Sequence, residues 1–496
     1  MVLKIISFIC TYALCLITTH PALAQNISNP QKAEHLQKSF QTLLERKKQE
    51  IETNKKRPRT LSLEGPVSVE PADSYYAITL PPMRMDYSDG KHLEIGMIAM
   101  NASAHDKPYQ YKITMALPTP ILGFDQAGNE IMRIHIGAQK MAGIWHENLQ
   151  TFVKLDALYQ NIQIDFHKTQ TTTKIPRLHI VYDLDEDANA RWSGPMQLNA
   201  QNITLNAVNT NTAFSLNQLN LKTELDQISG KILANNGTSL KGVELADTAN
   251  GIKTKIELSN LKLSKQQPST PEENLSVGSA HFELSFDDAL NNAPDAQLNI
   301  AFKNLNTGET NTEIAQLLPQ SGQFTITHHN IPLEPLAHAL TPKDEETTPK
   351  LNPFMLFKIP AILAQAGSYL EISDSAIENK DYRVELEALA RADITATNSA
   401  TIEGKLTFAG LEKILSMAQV TGTRLHTSSH TTPIRTLARI LERLKALGQV
   451  EADNEKGFKH IFNFKMDQNG QMLINDQNAL TLFQEPKPPA QSGNPI

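Results

Sequence analysis

The sequence predicts a β-rich α+β protein, with long curved antiparallel sheets, short covering helices and one amphipathic helix near the C-terminus. Three observations predict it. The first is a unit in the second half of the chain, an alternating strand running into a short leucine-rich helix. Phe324-Thr325-Ile326-Thr327 leads to Ile331-Pro332-Leu333-Glu334-Pro335-Leu336 and on to Leu340. Lys405-Leu406-Thr407-Phe408 leads to Gly410-Leu411-Glu412-Lys413-Ile414-Leu415, and 298–302 leads more loosely into 310–317. Alternation puts Phe324 with Ile326, and Leu406 with Phe408, on one sheet face. Leu333, Leu336 and Leu340 give the first of these short helices an apolar stripe that can fold back over that face.

The second observation is a recurring phrase in the first half. Val153-x-Leu155-x-x-Leu158, Phe214-x-Leu216-x-x-Leu219-x-Leu221 and Ile256-x-Leu258-x-x-Leu261-x-Leu263 each carry one residue too many for plain alternation. The apolar side stays inward only if each strand bulges or turns at that point. The third is a run of strand-like segments, 76–80, 92–100, 109–116 and 131–137. They are parted by the turn signals Ser88-Asp89-Gly90 and Ala127-Gly128-Asn129.

Taken in order, residues 1–24 read as a signal peptide. Lys4 starts it, 5–17 is an apolar core, and Pro21-Ala22-Leu23-Ala24 sets cleavage between Ala24 and Gln25. Both cysteines, Cys10 and Cys15, fall inside it, so the mature chain is expected to have no thiol chemistry. Residues 25–61 read as a solvated helical linker with a thin stripe of Leu36, Phe40, Leu43, Leu44 and Ile51, ended by the basic run 55–59. A β-rich domain follows over 62–265, then a linker around 264–271. A second β-rich domain with strand-helix units spans 276–484, broken at 341–349. A Pro-interrupted helix is expected over 353–366. The amphipathic helix starts near Thr432-Pro433 and stops at Gly448, with a stripe of Ile434, Leu437, Leu441 and Leu444 widened by Ile440 and Leu447. Asp467-Gln468-Asn469-Gly470 predicts a hairpin between 458–465 and 471–475. The proline-bearing tail 485–496 reads as disordered.

The chemistry is bland. Hydrophobic residues make up 40%, enough for real cores, and the net charge of -7 argues against a nucleic-acid partner. His328-His329 would point to opposite faces of a strand, and His426 and His430 sit in a Thr/Ser-rich loop, so no metal site is assigned. Asp183-x-Asp185-x-Asp187-x-Asn189 has the opening spacing of a calcium loop, but Ala188 stands where glycine belongs and Gly194 where the bidentate acid belongs. No nucleophile elbow, phosphate loop or dinucleotide fingerprint is present, so no catalytic residue and no cofactor is assigned.

Gly404 to Leu415, 367–389 and 323–340, with the closing Gly470-Gln471-Met472-Leu473-Ile474-Asn475, resemble the AsmA-like proteins of the bacterial envelope and neighbouring families of unknown function. The resemblance covers 275–484, with a weaker echo over 150–265. It implies a long curved sheet with an apolar inner face and a role in envelope maintenance and lipid handling. The expectation is therefore a non-enzymatic periplasmic or secreted protein. Its candidate apolar face is Phe214, Leu216, Ile256, Leu258, Phe324, Ile326, Leu406 and Phe408. Its expected partners are lipid, a membrane surface or other envelope proteins. The alternatives are a structural or adhesive β protein and a hydrolase whose site is assembled from distant residues.

Overall fold

The computed structural model describes residues 30–53, 59–234, 249–265, 273–291, 293–308, 312–340, 355–397, 399–424, 431–453 and 457–479. Outside these lie residues 1–29, with the expected signal peptide and its Ala24/Gln25 junction, most of the expected linker 264–271, the expected break at 341–349, His426 and His430, and the expected tail 485–496. The chain divides into two compact units, Met1–Leu290 and Asn291–Ile496. The sequence had put this boundary between 265 and 276. It falls later because the strand after the linker pairs along its length with the one before it, from Lys265↔Glu273 to Ile252↔Phe286.

Unit 1 opens with α1 (Pro30–Glu52). Short strands follow: β1 (Arg59–Leu63), β2 (Ser68–Ala72), β3 (Tyr75–Leu80), β4 (Met83–Tyr87), β5 (His92–Ile95), β6 (Ile98–Ala104), β7 (Gln110–Ala116) and β8 (Ile121–Phe124). The long strands are β9 (Glu130–His146), β10 (Thr151–Phe166), β11 (Thr171–Asp183), the minimal β12 (Asp185–Glu186), β13 (Arg191–Ala207) and β14 (Thr212–Ser229). A short helix α2 (Gly230–Ala234) precedes β15 (Gly251–Lys265) and β16 (Glu273–Asp287). From β9 the long strands pair antiparallel in the order β9–β10–β11–β13–β14–β15–β16. The other edge of β9 is shared. Its start takes β8 and its end takes β7, so the short strands form two ladders, β1–β4–β5–β8 and β2–β3–β6–β7. The predicted turns hold. Gly90 and Gly128 take left-handed φ of 79° and 83°, and Asp125 Oδ1 accepts from the Ala127 and Asn129 N–H groups.

Helix α1 corrects the expectation of a solvated linker. Ala33, Leu36, Phe40, Leu43 and Leu44 are buried in the same cluster as Tyr76, Ile78 and Met85 of the short strands and Tyr159 and Ile180 of the long ones. Gln37 Nε2 donates to the Val67 carbonyl at 2.8 Å, and Gln41 Oε1 accepts from the Val67 N–H at 3.1 Å. The stripe is thin, but the partner surface is wide enough to bury Leu36, Phe40, Leu43 and Leu44 and to half-bury Ile51.

Unit 2 runs β17 (Asp295–Lys303), α3 (Thr312–Ala315), β18 (Ser321–His329), α4 (Leu333–Leu340), α5 (Met355–Gln365), β19 (Tyr369–Glu378), β20 (Arg383–Ala392), β21 (Ala400–Ala409), α6 (Leu411–Arg424), α7 (Thr431–Leu447), β22 (Gln449–Asp453), β23 (Gly457–Met466), β24 (Met472–Ile474) and β25 (Gln477–Asn478). The strand-helix units and the Asn469-Gly470 hairpin are as predicted. β17 to β21 pair in sequence order, β23 joins β21, and β22 and β24 line the other edge of β23. Helices α6 and α7 cover β20, β21 and β23 with Leu411, Ile414, Leu415, Ala418, Ile434, Ala438 and Leu441 against Tyr382, Phe408 and Phe462. The α7 stripe differs from expectation. Ala438 takes an inward place, and Leu437 and Ile440 face out.

Gly410 makes the turn from β21 into α6 at φ 78°, where a Cβ would stand 2.3 Å from the Asp381 carbonyl oxygen. Gly410→Ala is expected to cost about 1–3 kcal/mol by combining left-handed strain with that clash. A thermal melt followed by far-ultraviolet circular dichroism checks it, and an unchanged midpoint would refute the close approach.

Candidate functional site: an apolar sheet face

The extra residue in the second and third first-half phrases has a structural counterpart. Asn161, Asn202 and Asn260 take left-handed φ of 54°, 53° and 51°. Asparagine tolerates this conformation better than most residues. The register sets Asn161 opposite Gly137 and Pro176, and Asn260 opposite Asn217 and Gly278. Asn202 faces Pro176 and Asn217. One row therefore crosses β9 to β16, and every strand changes its side-chain parity at that row. Gly137 leaves room there, since a Cβ would meet Asn161 Cβ at 3.0 Å. In β10 the sequence had put the irregularity too early. Leu155, Ala157 and Tyr159 alternate regularly inward, Leu158 faces the other way, and the parity change comes between Tyr159 and Ile162.

Because all strands switch together, one face stays apolar on both sides of the row. On one side Tyr159, Leu178, Ala200, Leu219 and Leu258 lie across from one another, and on the other Ile162, Ile175, Ile203, Leu216 and Leu261. The reverse face is charged and internally paired. Lys154 Nζ meets Asp183 Oδ1 at 2.6 Å, Lys253 meets Glu283 at 2.8 Å and Lys255 meets Glu257 at 2.8 Å. Two shallow troughs of about 500 and 610 Å³ lie over β13 to β16 and are lined mainly by polar-face residues such as Ser215, Lys262, Lys222 and Glu257. In the second trough Lys222, Lys253 and Lys255 are matched by Glu224, Glu283 and Glu257, and the first is an open polar surface around Lys174 and Lys262. The apolar face, continuous across the strands, is the candidate site.

Exposure along that face is graded. From β10 to β13 the rows are sealed by α1 and the short strands, and Tyr159 and Ala200 are essentially inaccessible. At β14 to β16 the cover ends. Leu216 is buried, and Phe214, Leu258 and Leu261 are half-buried against the cluster. Leu263, Phe282 and Leu284 are 37%, 36% and 47% exposed. Ile256, opposite Phe282, is half-buried. The four predicted residues of unit 1, Phe214, Leu216, Ile256 and Leu258, thus share one surface where it opens.

In unit 2 the predicted residues separate. Phe324 and Ile326 are half-buried on β18, opposite Ile300 and Leu298 of β17. Leu406 and Phe408 share a face as expected, but the face there is closed, with Phe408 buried under α6 and Leu406 packed beside it. They are core residues. His460, 1% exposed on the same face, donates from Nε2 to Glu412 Oε1 (2.7 Å) and helps tie α6 to the sheet.

The other chemical candidates resolve as structure. Lys154 neutralises Asp183 and Asp185, and Asp187 caps its own turn by accepting from Asn189 and Arg191 N–H groups. His329 sits between Asp295 (2.8 Å) and Glu371 (3.4 Å), stacked on Tyr369. Among the described residues no group of three or more histidines and carboxylates could hold a metal, and no described helix is long and apolar enough to cross a membrane.

One cluster escaped the sequence reading. At the β9–β10 turn, Glu147 has a side chain only 1% exposed, with His35 Nδ1 of α1 at 3.4 Å from Oε1. Neither carboxylate oxygen accepts a hydrogen bond from a described residue. Burial pushes this carboxyl up to about 8 and the neighbouring His146 down to about 4. Tyr111, beside them, is raised by burial and by Glu147. Trp192 stands edge-on to His146 and Trp145 edge-on to Phe152. An adjacent His-Glu pair has no spacing that would announce burial.

These features define a β-rich α+β protein of long antiparallel strands with one apolar face that is part sealed, part open. No protein-family model, no curated protein and no solved structure matches the chain.

Proposed function

We propose that this chain is a non-enzymatic exported protein of the cell envelope that holds lipid-like molecules by their hydrocarbon chains on the open part of the apolar face, β14 to β16 of unit 1. The observation that supports it is the graded exposure. The same in-register apolar rows that form a sealed core at β10 and β11 continue to Leu263, Phe282 and Leu284, where they stand open. Ordinary soluble surfaces scatter apolar residues singly, and a contiguous patch marks a binding surface. A hydrocarbon chain laid there gains about 0.8 kcal/mol per methylene removed from water. The site needs no cofactor. A purely structural role is the second reading, favoured by the closed clusters beneath α1 and α6–α7.

The test is extraction of the purified chain followed by mass spectrometry of the organic phase, with cis-parinaric acid as a fluorescent probe of the face. Bound lipid and saturable probe binding are expected. Leu284→Glu, at an exposed position, should weaken the probe roughly tenfold or more by placing a charge among the methylenes, without shifting the melt. A lipid-free chain that binds no probe, or a variant that binds as well as the wild type, removes the proposal.

A further inference from the structure

Helix α7 has a second surface that its core packing leaves unexplained. Ile434, Ala438 and Leu441 point into the unit 2 core. Leu437 and Ile440, each 37% exposed, lie about a quarter-turn away on the flank that Leu444 and Leu447 continue. Arg435 and Arg439 are exposed on the other outer quadrant, with Arg443 one turn further on. Glu442 is the acid among them, and Lys445 is turned to Glu412 at 3.5 Å. The adjoining hairpin adds to this surface. Val450 lies opposite His460, and Phe458 is its diagonal neighbour. Both are therefore on the sheet face that α6 and α7 cover, and they are 56% and 54% exposed.

We propose that this helix-bearing side of unit 2 docks on the surface of an anionic lipid bilayer. Leu437, Ile440, Val450 and Phe458 enter the headgroup boundary and the α7 arginines meet lipid phosphates. The charge pattern selects this occupant. An interfacial helix buries an apolar flank while arginines flank it at headgroup level, and each cation near an anionic surface strengthens binding about fivefold. A self-associating patch would instead bring two arginine rows together. The surface belongs to unit 2 and does not depend on the hydrocarbon site of unit 1.

Co-sedimentation of the full chain tests it, using vesicles of phosphatidylcholine alone and of phosphatidylcholine mixed with phosphatidylglycerol. Binding only to the mixed vesicles, weakened by salt, is expected. Leu437→Asp with Ile440→Asp should abolish it. Arg439→Gln, which leaves the core seam untouched, should weaken it about fivefold even if the double variant proves unstable. Leu284→Glu should leave it intact. Equal binding to both vesicles, no binding, unchanged binding by Arg439→Gln, or concentration-dependent dimers lost on Leu437→Asp would overturn the proposal.

Discussion

Phe40→Ala is expected to lower the stability of unit 1 by about 3–5 kcal/mol, the cost of emptying a large buried aromatic site. Phe40 is 1% exposed and stands in the middle of the α1 stripe, with Leu36, Leu43 and Leu44 around it. A solvated linker helix would lose almost nothing at this position. The readout is available without labelling. The chain's two tryptophans, Trp145 and Trp192, are both buried in unit 1, so tryptophan fluorescence in a urea titration follows that unit alone. Phe462→Ala in the unit 2 core should leave the same fluorescence transition where it was. A Phe40→Ala shift below about 1 kcal/mol would mean that α1 does not seal the face.

The second large effect is a pH dependence carried by Glu147. Its carboxyl is held near 8 when folded, against an ordinary 4.5. Between those values the folded state keeps a proton that the unfolded state has released. The contribution is fully present below about pH 4.5 and is lost as pH rises towards 8. Linkage sets the upper limit on the order of 5 kcal/mol, before any local relaxation. Glu147→Gln removes the ionisation, so the tryptophan-monitored midpoint should lose its decline from pH 5 to pH 8. Any constant offset from the buried amide does not affect that slope. His146 acts with the opposite sign. Held near 4 against an ordinary 6.5, it favours the folded state above pH 6.5 and gives that up as pH falls through 4. Unit 1 should therefore be most stable near pH 5–6. A wild-type midpoint that stays flat from pH 5 to pH 8 would contradict the burial of Glu147.

The apolar face was largely legible in the chain. Phe214-x-Leu216-x-x-Leu219 and Ile256-x-Leu258-x-x-Leu261 carry its spacing, and the row of Asn202, Asn217 and Asn260 marks where each strand turns. The candidate site was half legible, because spacing names a face without naming what covers it. Leu406 and Phe408 have the same alternation as Ile256 and Leu258. They are sealed only because Gly410 sends the chain into α6, which folds back over them. The α1 stripe met the converse fate. Read alone it is too thin to anchor a helix, yet two ladders of short strands meet it.

Local periodicity by itself determined the β-rich class, the strand-helix units, the closing hairpin and the inward side of β14 and β15, since each depends on contacts a few residues apart. Tertiary structure alone decided which parts of that side are core and which are surface. It also decided that Glu147 and His146 lose their water and that Leu437 and Ile440 keep theirs. Burial is set by elements distant in sequence, and no spacing within a strand or helix reports which of them will arrive.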